Sequence, residues 1–422
     1  MGRKKIVQLI IVLGILLGLI LIQIYSDLLW GNKSDRDGKK EVIRIWTIHG
    51  DTEKALDIAL EQYRKNHPEV AFEVTVYKNE VYQTAVNNAM LTDSLPDLFF
   101  MWGYSKLQRF VDAGMIQEIT DTVREEKISE ALRSKGLDAF TFEGRIYALP
   151  LYGWEADIFC NREIFREYGM EYPNTYEQFL KVVEECKRQG VIPVVTGAKE
   201  GWLSSLYYMS LVQEEGPGNT IYRAVKDQSL FSSGQFQMAA KKMEQLTEKK
   251  IWQRNYLECD GYNAVYQFAQ GKAAMLYYGS WGSTFLEGDK SKVKGKVDVI
   301  PFPNGNRREG IGGYVDTFVI NKYGAIPQKE ELIQMYMEVM QSISNVVVND
   351  MGAGLPVYKN QTVEEEKYPI LYQSWNSGRS KVLYPAYDQI MSEEQSGEYY
   401  DLLNRLVFGE KSYKEFIQGL AE

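Results

Sequence analysis

Residues 41–102 alternate strand and helix patterns, and this order restricts the fold more than any other feature of the chain. Residues 41–47 (EVIRIWT) alternate and are β-branched, as a half-buried strand requires. Gly50 and Asp51 follow, and then Ala55, Leu56, Ala59, Leu60 and Tyr63 recur at helical spacing, with Asp51 or Thr52 as the cap. His67-Pro68 ends that helix, residues 70–77 (VAFEVTVY) form a second strand, 81–91 a second helix, and 96–102 (PDLFFMW) a third strand. Strands joined by helices rather than hairpins imply a parallel sheet with helices on its faces. Ligands of such sheets sit beyond the carboxyl ends of the strands. Trp46, His49 and Trp102 occupy those ends and are candidate site residues.

A second feature is the stretch 142–161 (FEGRIYALPLYGWEADIFCN), in which two apolar runs are separated by Pro150 and by Tyr152-Gly153-Trp154-Glu155. Proline removes a backbone donor and restricts the residue before it, so it does not suit the middle of a paired strand. The break is expected where the chain leaves one sheet and enters another, and clefts at such crossings commonly hold ligands. Residues 310–321 (GIGGYVDTFVIN) repeat the pattern, with Tyr314 and Asp316 after the glycines, and Gly354-Leu355-Pro356 marks a third crossing. Only one of Glu155 and Asp157 is expected to line the cleft, and Glu155 is favoured. A helix is expected over 121–135 before the first crossing; between the crossings, helices are expected over 176–188, 203–213, 235–249 and from Gly261 or Tyr262, and strands over 191–196, 273–278 and 297–301. A helix is expected over 329–342, and the chain after the third crossing is read as helical.

With 422 residues there is enough chain for two lobes. The net charge of −9 and the scattered Lys and Arg exclude a nucleic-acid surface, which needs a dense basic patch. Cys160, Cys186 and Cys259 match no disulfide framework or metal spacing, and with only two His neither a metal nor a cofactor is expected. Aromatic residues are plentiful, 29 Tyr and 8 Trp, and several Trp stand beside glycines or acids rather than inside apolar runs. Flat rings at such positions suit carbohydrate or peptide sites, because a ring face covers an apolar patch while a polar tip hydrogen-bonds.

At the start of the chain, Arg3, Lys4 and Lys5 precede an apolar run over residues 6–24 that is close to the length needed to span a bilayer. The basic residues stay in the cytoplasm under the positive-inside rule, so the rest of the chain is expected outside. No good cleavage site follows, which favours an uncleaved signal anchor over residues 1–30, with a cleaved signal peptide as the alternative. Residues 31–40, polar and glycine-bearing, read as a tether.

The order of segments resembles the extracellular solute-binding proteins, family 1, the sugar-binding subunits of ABC importers. Residues 94–120 (SLPDLFFMWGYSKLQRFVDAGMIQEIT) are similar to that family's "PD…W…L…AG…D/E-L-T" segment, and 142–202 to its "G-K-x-Y-A-L-P…YYN…P-x-T-W…G…P" block. Residues 268–281 (FAQGKAAMLYYGSW) resemble its "F-x-x-G-K-A-A-M…G-x-W" motif, and 301–321 its "P-x-P…G-G…D…I-N/S-K" segment. The resemblance implies a two-lobed, periplasmic-binding-protein-like α/β fold (type II) with three hinge crossings. Lobe one would then hold residues 41–151 with 310–356, and lobe two 152–309 with 357–422. The chain departs from many relatives in having no lipid-bearing cysteine at its start, a tethering role that the anchor would supply.

The resemblance implies a monomeric binding protein at the outer face of the cytoplasmic membrane, without catalysis, whose partners are a carbohydrate, an oligosaccharide more than a monosaccharide, and the permease subunits of an ABC transporter. It implies Trp281, whose counterpart often stacks on a sugar ring, and Trp202 as ligand contacts, and their places at the crossings add Trp154, Glu155, Tyr152, Tyr314 and Asp316 as candidates; core packing is the other reading of each ring. Two alternatives stay open: a binding-protein-like sensor for a membrane kinase, and an exported glycan-active enzyme using Glu155 and Asp316 as paired carboxylates.

Overall fold

The computed structural model describes residues 41–305, 308–326, 329–379 and 381–422. The expected anchor (1–30) and tether (31–40) lie outside the described residues. Among the described residues no helix is long and apolar enough to cross a membrane.

The first sheet is built from β1 (Glu41–Ile48), β2 (Val70–Tyr77), β3 (Leu98–Trp102) and a later strand. β1 pairs in parallel with both β2 and β3. The helix α1 (Asp51–Asn66) joins β1 to β2 and buries Ala55, Leu56, Ala59 and Leu60, the stripe seen in the sequence. Asp51 and Glu53 sit in its first turn and Arg64 and Lys65 in its last, each sign favourable to the helix dipole. Helix α2 (Asn79–Leu91) leads on to β3, and α3 (Ser105–Asp112) follows it. The charged stretch expected to be one helix over 121–135 is instead two short ones, Thr120–Glu125 and Ile128–Ala131. They are separated at Lys127, whose left-handed backbone (φ 53) cannot continue an α-helix.

The second sheet centres on β4 (Trp154–Asn161), all eight residues of which are buried. Helix α4 (Tyr176–Arg188), capped by the Thr175 side chain, leads to β5 (Ile192–Val195). Helix α5 (Trp202–Glu215) is buried on every side from Leu203 to Gln213, as expected of a helix enclosed by other elements. It packs on α6 (Gly234–Glu248). Then come α7 (Gly261–Ala269), β6 (Ala273–Gly279), β7 (Val297–Ile300) and β8 (Glu309–Gly313). β6 and β7 both run antiparallel to β4, while β5 is parallel to β6.

The chain returns to the first sheet as β9 (Asp316–Ile320), antiparallel to β3 along its whole length. Residues 310–313 therefore join the second sheet and not the first. They form β8, whose Gly312 and Gly313 pair with Glu155 and Trp154, and the sheets exchange at Tyr314 and Val315. Two consecutive glycines at φ 153 and 136 let the backbone turn out of one sheet within this short distance, where a side chain on Gly312 would strike the Trp154 carbonyl. Helix α8 (Lys329–Asn345) packs on α1, and α9 (Pro369–Gly378) packs on β7 and β4, so the chain passes between the sheets again before α9. The C-terminal part is not all helical: β10 (Val382–Tyr384) adds a parallel strand beside β8 before α10 (Glu393–Val407) and α11 (Tyr413–Ala421).

The three connecting segments touch. Leu151 N–H donates to the Asp316 carbonyl at 2.9 Å, and Gly153 and Leu355 exchange backbone hydrogen bonds at 2.8 and 2.7 Å. Gly153 is required here, because a Cβ on it would come within 2.7 Å of the Tyr314 ring.

Candidate functional site

On the first-sheet side, the carboxyl end of β1 runs through His49 and Gly50 into the first turn of α1. The Thr52 hydroxyl meets the Tyr152 hydroxyl at 2.7 Å. The Tyr152 hydroxyl also acts electrostatically on the Asp316 carboxyl, and Asp316 is the cross-strand partner of Trp102. Three separate parts of the chain thus converge at one point: a helix N-terminus, a connecting segment and a strand start. Burial pushes the Asp316 carboxyl up to about 7, with the Tyr152 hydroxyl opposing the shift. Trp102 is half-buried and makes edge contacts with Phe100 and Tyr82. Trp46, also half-buried, tilts on Tyr77 at 5.1 Å. His49 is exposed and bonds Glu53 one turn along α1 at 2.7 Å, which accounts for its orientation.

On the second-sheet side, four rings form one cluster. Trp281 lies 5.1 Å from Trp154, 5.9 Å from Trp202 and 5.3 Å from Tyr278, and Trp202 lies 5.4 Å from Tyr278. Each edge contact adds about 0.5–1.5 kcal/mol beyond area burial and fixes ring orientation. The Trp202 indole N–H donates to the Glu200 carboxylate at 2.9 Å. Gly261 permits the ring to lie on the start of α7, since a Cβ there would meet it at 2.5 Å. Trp202 and Trp281 keep part of their surface exposed, whereas Trp154 is 6% exposed and stands behind Trp281 as its support. One turn past Trp281, the Thr284 hydroxyl donates to the Asp51 carboxylate at 3.0 Å. That contact joins the aromatic cluster to the α1 N-terminus, next to Thr52 and the Tyr152–Asp316 pair.

Glu155 is misplaced in the sequence reading. It is 0% exposed and forms a buried ion pair with Lys381, while Asp157 lies 3.7 Å from the same ammonium and accepts from the Ser374 hydroxyl. Residues two apart in a strand share a face, so both carboxylates point the same way, away from the rings. Burial drives both carboxyls upward, and Lys381 opposes that. Glu155 is therefore removed both as a ligand contact and as half of a carboxylate pair. Tyr314 is also displaced from its expected place: its ring covers Gly153 and its hydroxyl donates to the Pro356 carbonyl at 3.4 Å, so it holds the connecting segments together.

Thr52, Asp51, Tyr278 and Thr284 also lie in this connected cluster and were not singled out from sequence as candidates. A helix N-terminus just beyond a parallel strand is itself a signal for Asp51 and Thr52. Nothing local marks Tyr278 among 29 tyrosines. Cys160, Cys186 and Cys259 are buried free thiols. Among the described residues no group of three or more His, Cys, Asp or Glu is placed to hold a metal ion.

The fold has many solved counterparts. A structure connected with xylan utilization by the thermophilic bacterium Caldanaerobius polysaccharolyticus superposes with a TM-score of 0.84 at 24% identity, covering 90% of this chain and 99% of that one. A chitin oligosaccharide binding protein superposes with a TM-score of 0.82 at 19% identity, covering 91% and 98%. In sequence, the chain is 22% identical over 376 residues to the multiple sugar-binding protein of Streptococcus mutans, covering 82% of this chain and 86% of that protein. The family model for bacterial extracellular solute-binding proteins matches residues 49–342. A match over that much of the chain is decisive: this chain belongs to the bacterial extracellular solute-binding protein family.

Proposed function

We propose that this protein captures a carbohydrate between two lobes and delivers it to the membrane subunits of an ABC importer. The observation that carries the reading is the half-exposed Trp202–Trp281 pair joined, through Thr284 and Asp51, to the Thr52–Tyr152–Asp316 hydroxyl and carboxyl cluster. Rings cover the apolar face of a sugar, and a carboxylate with two hydroxyls beside it binds sugar hydroxyls. The multiple sugar-binding protein and the chitin oligosaccharide binding protein support the same reading by what their names say they bind.

In this reading lobe one comprises residues 41–151 with 314–356 and lobe two 152–313 with 357–422, and the three touching connections are the hinges. Binding closes the lobes and no bond is made or broken. The chain acts as a monomer outside the cytoplasmic membrane, held there by residues 1–30 as an anchor.

A thermal-shift screen with mono- and oligosaccharides tests the assignment. A bound sugar at a hundred times its Kd stabilises by about 2.7 kcal/mol, which raises the melting temperature by several degrees. Peptides or polyols that stabilise the protein where no sugar does would sink the carbohydrate assignment.

Asp316 gives the binding a pH signature. Its folded-state carboxyl titrates near 7, above the ordinary carboxylate range. In the empty protein it therefore favours the folded state most at acid pH, and that contribution is lost as pH rises through about 7. Ligand hydroxyls donating to the carboxylate reverse this preference. Affinity is expected to rise between pH 5.5 and 8, with proton release measurable by calorimetry in buffers of different ionisation enthalpy. Asp316→Asn should flatten the profile and weaken binding by roughly tenfold to a hundredfold, the range of a charge-assisted hydrogen bond. A wild-type profile that is already flat would remove Asp316 from the site.

A further inference from the structure

The aromatic surface does not stop at the cleft. Helix α7 begins at Gly261, where an added Cβ would meet the Trp202 ring, and the next residue, Tyr262, is 54% exposed. Its hydroxyl comes within 4.0 Å of where a Cβ on Gly50 would stand, so it reaches across to the first-sheet side at the α1 N-cap. Tyr266, one helical turn further out, is 49% exposed. Its ring meets Phe285 edge-on at 6.4 Å, and Phe285, 43% exposed, follows Thr284 directly. Through Gly261, on which Trp202 lies, and Thr284, one turn past Trp281, these rings adjoin the Trp202–Tyr278–Trp281 cluster. Grouped aromatic rings exposed to this degree mark a binding surface.

We infer that Tyr262, Tyr266 and Phe285 form an outer rim that holds the part of a linear oligosaccharide projecting from the cleft. The ligand would then be a chain captured by one end rather than a sugar wholly enclosed. The inference rests on the carbohydrate reading above and deepens it. A sugar chain fits better here than a protein segment because Tyr262 directly follows Gly261, on which Trp202 lies, and offers a ring face and a hydroxyl together at the point where the two sides meet.

The test measures Kd by calorimetry for xylo-, chito- and malto-oligosaccharides of two to six units, with the wild type and the Tyr262→Ala, Tyr266→Ala and Phe285→Ala variants singly and combined. Wild-type affinity is expected to increase with length within the series that binds. Each variant should lose about three- to tenfold for the longest member and less than about twofold for the shortest, in line with the worth of one stacked ring. The exposed positions should leave the melting temperature unchanged. Equal affinity of the combined variant and the wild type at every length overturns the rim, as does an equal loss at all lengths. Unchanged oligosaccharide affinity with lost uptake by cells would give the surface to a protein partner and also overturn it. Failure of every series to bind the wild type would instead overturn the carbohydrate reading itself and the rim with it.

Discussion

Trp281→Ala is expected to weaken sugar binding by roughly thirtyfold or more, the effect of losing an aromatic hot spot worth at least about 2 kcal/mol. Trp281 keeps an exposed surface while three rings, Trp154, Trp202 and Tyr278, hold it at 5.1–5.9 Å. A platform so braced loses little freedom when a ligand settles on it, so most of its contact energy appears as affinity. Trp281→Phe should recover part of the loss, because a smaller ring still offers a face. Trp154→Ala makes the contrast: that side chain is buried behind the platform, so its removal should cost stability first, about 3–5 kcal/mol for a buried large aromatic. Calorimetric Kd values and denaturation curves on the same samples separate the two effects. Unchanged affinity in Trp281→Ala with an intact fold would remove the leading site residue.

The second large effect is expected at Lys381. Lys381→Met leaves Glu155 and Asp157 buried without their cation, and breaking a buried pair in this way typically costs about 3–5 kcal/mol. The network ties the chain after α9 to the central strand β4, and Gly378 leaves the room in which the Glu155 carboxylate sits. The loss should depend on pH. With Lys381 gone, burial, and for Glu155 the Asp157 charge beside it, hold the folded-state values above the unfolded ones, opposed only at Asp157 by the Ser374 hydroxyl. The variant should therefore be closest to wild type at low pH and fall further behind as pH rises through those raised values. Denaturant titrations at pH 5 and pH 8 measure this. The triple variant Glu155→Gln, Asp157→Asn, Lys381→Met, which removes all the charges, should recover much of the stability. Equal stability of Lys381→Met and wild type at pH 8 would mean the network does not hold the strand.

Much of the fold was legible because its signals are local. The alternation in residues 41–47 and the i, i+4 stripe from Ala55 to Tyr63 each lie within a few residues, and each element formed where its pattern placed it. Tyr152, Asp316, Trp202 and Trp281 were marked by glycines, an acid or a proline beside them, and they lie in the connected cluster described above. What was not legible depends on partners far along the chain. Glu155 has the same local setting as a cleft acid, but its environment is set by Lys381, 226 residues away. Tyr314 has the same local setting as a ligand-facing ring, but it packs on Gly153 and reaches Pro356.

The sequence by itself determined the element order, the parallel character of the first sheet and the regions where the chain changes sheets, because periodicity, caps and backbone-restricted residues act over one or two turns. The tertiary structure alone decided which of the marked side chains share a site. It put two carboxylates of one buried strand onto a lysine from the C-terminal part, placed Trp154 behind Trp281 rather than beside it, and brought the α1 N-terminus to Thr284. The physical reason is that burial and long-range pairing, not residue type, decide whether a charge or a ring meets solvent. A buried carboxylate needs a cation wherever the fold can supply one, and a ring becomes a platform only when others support it from behind.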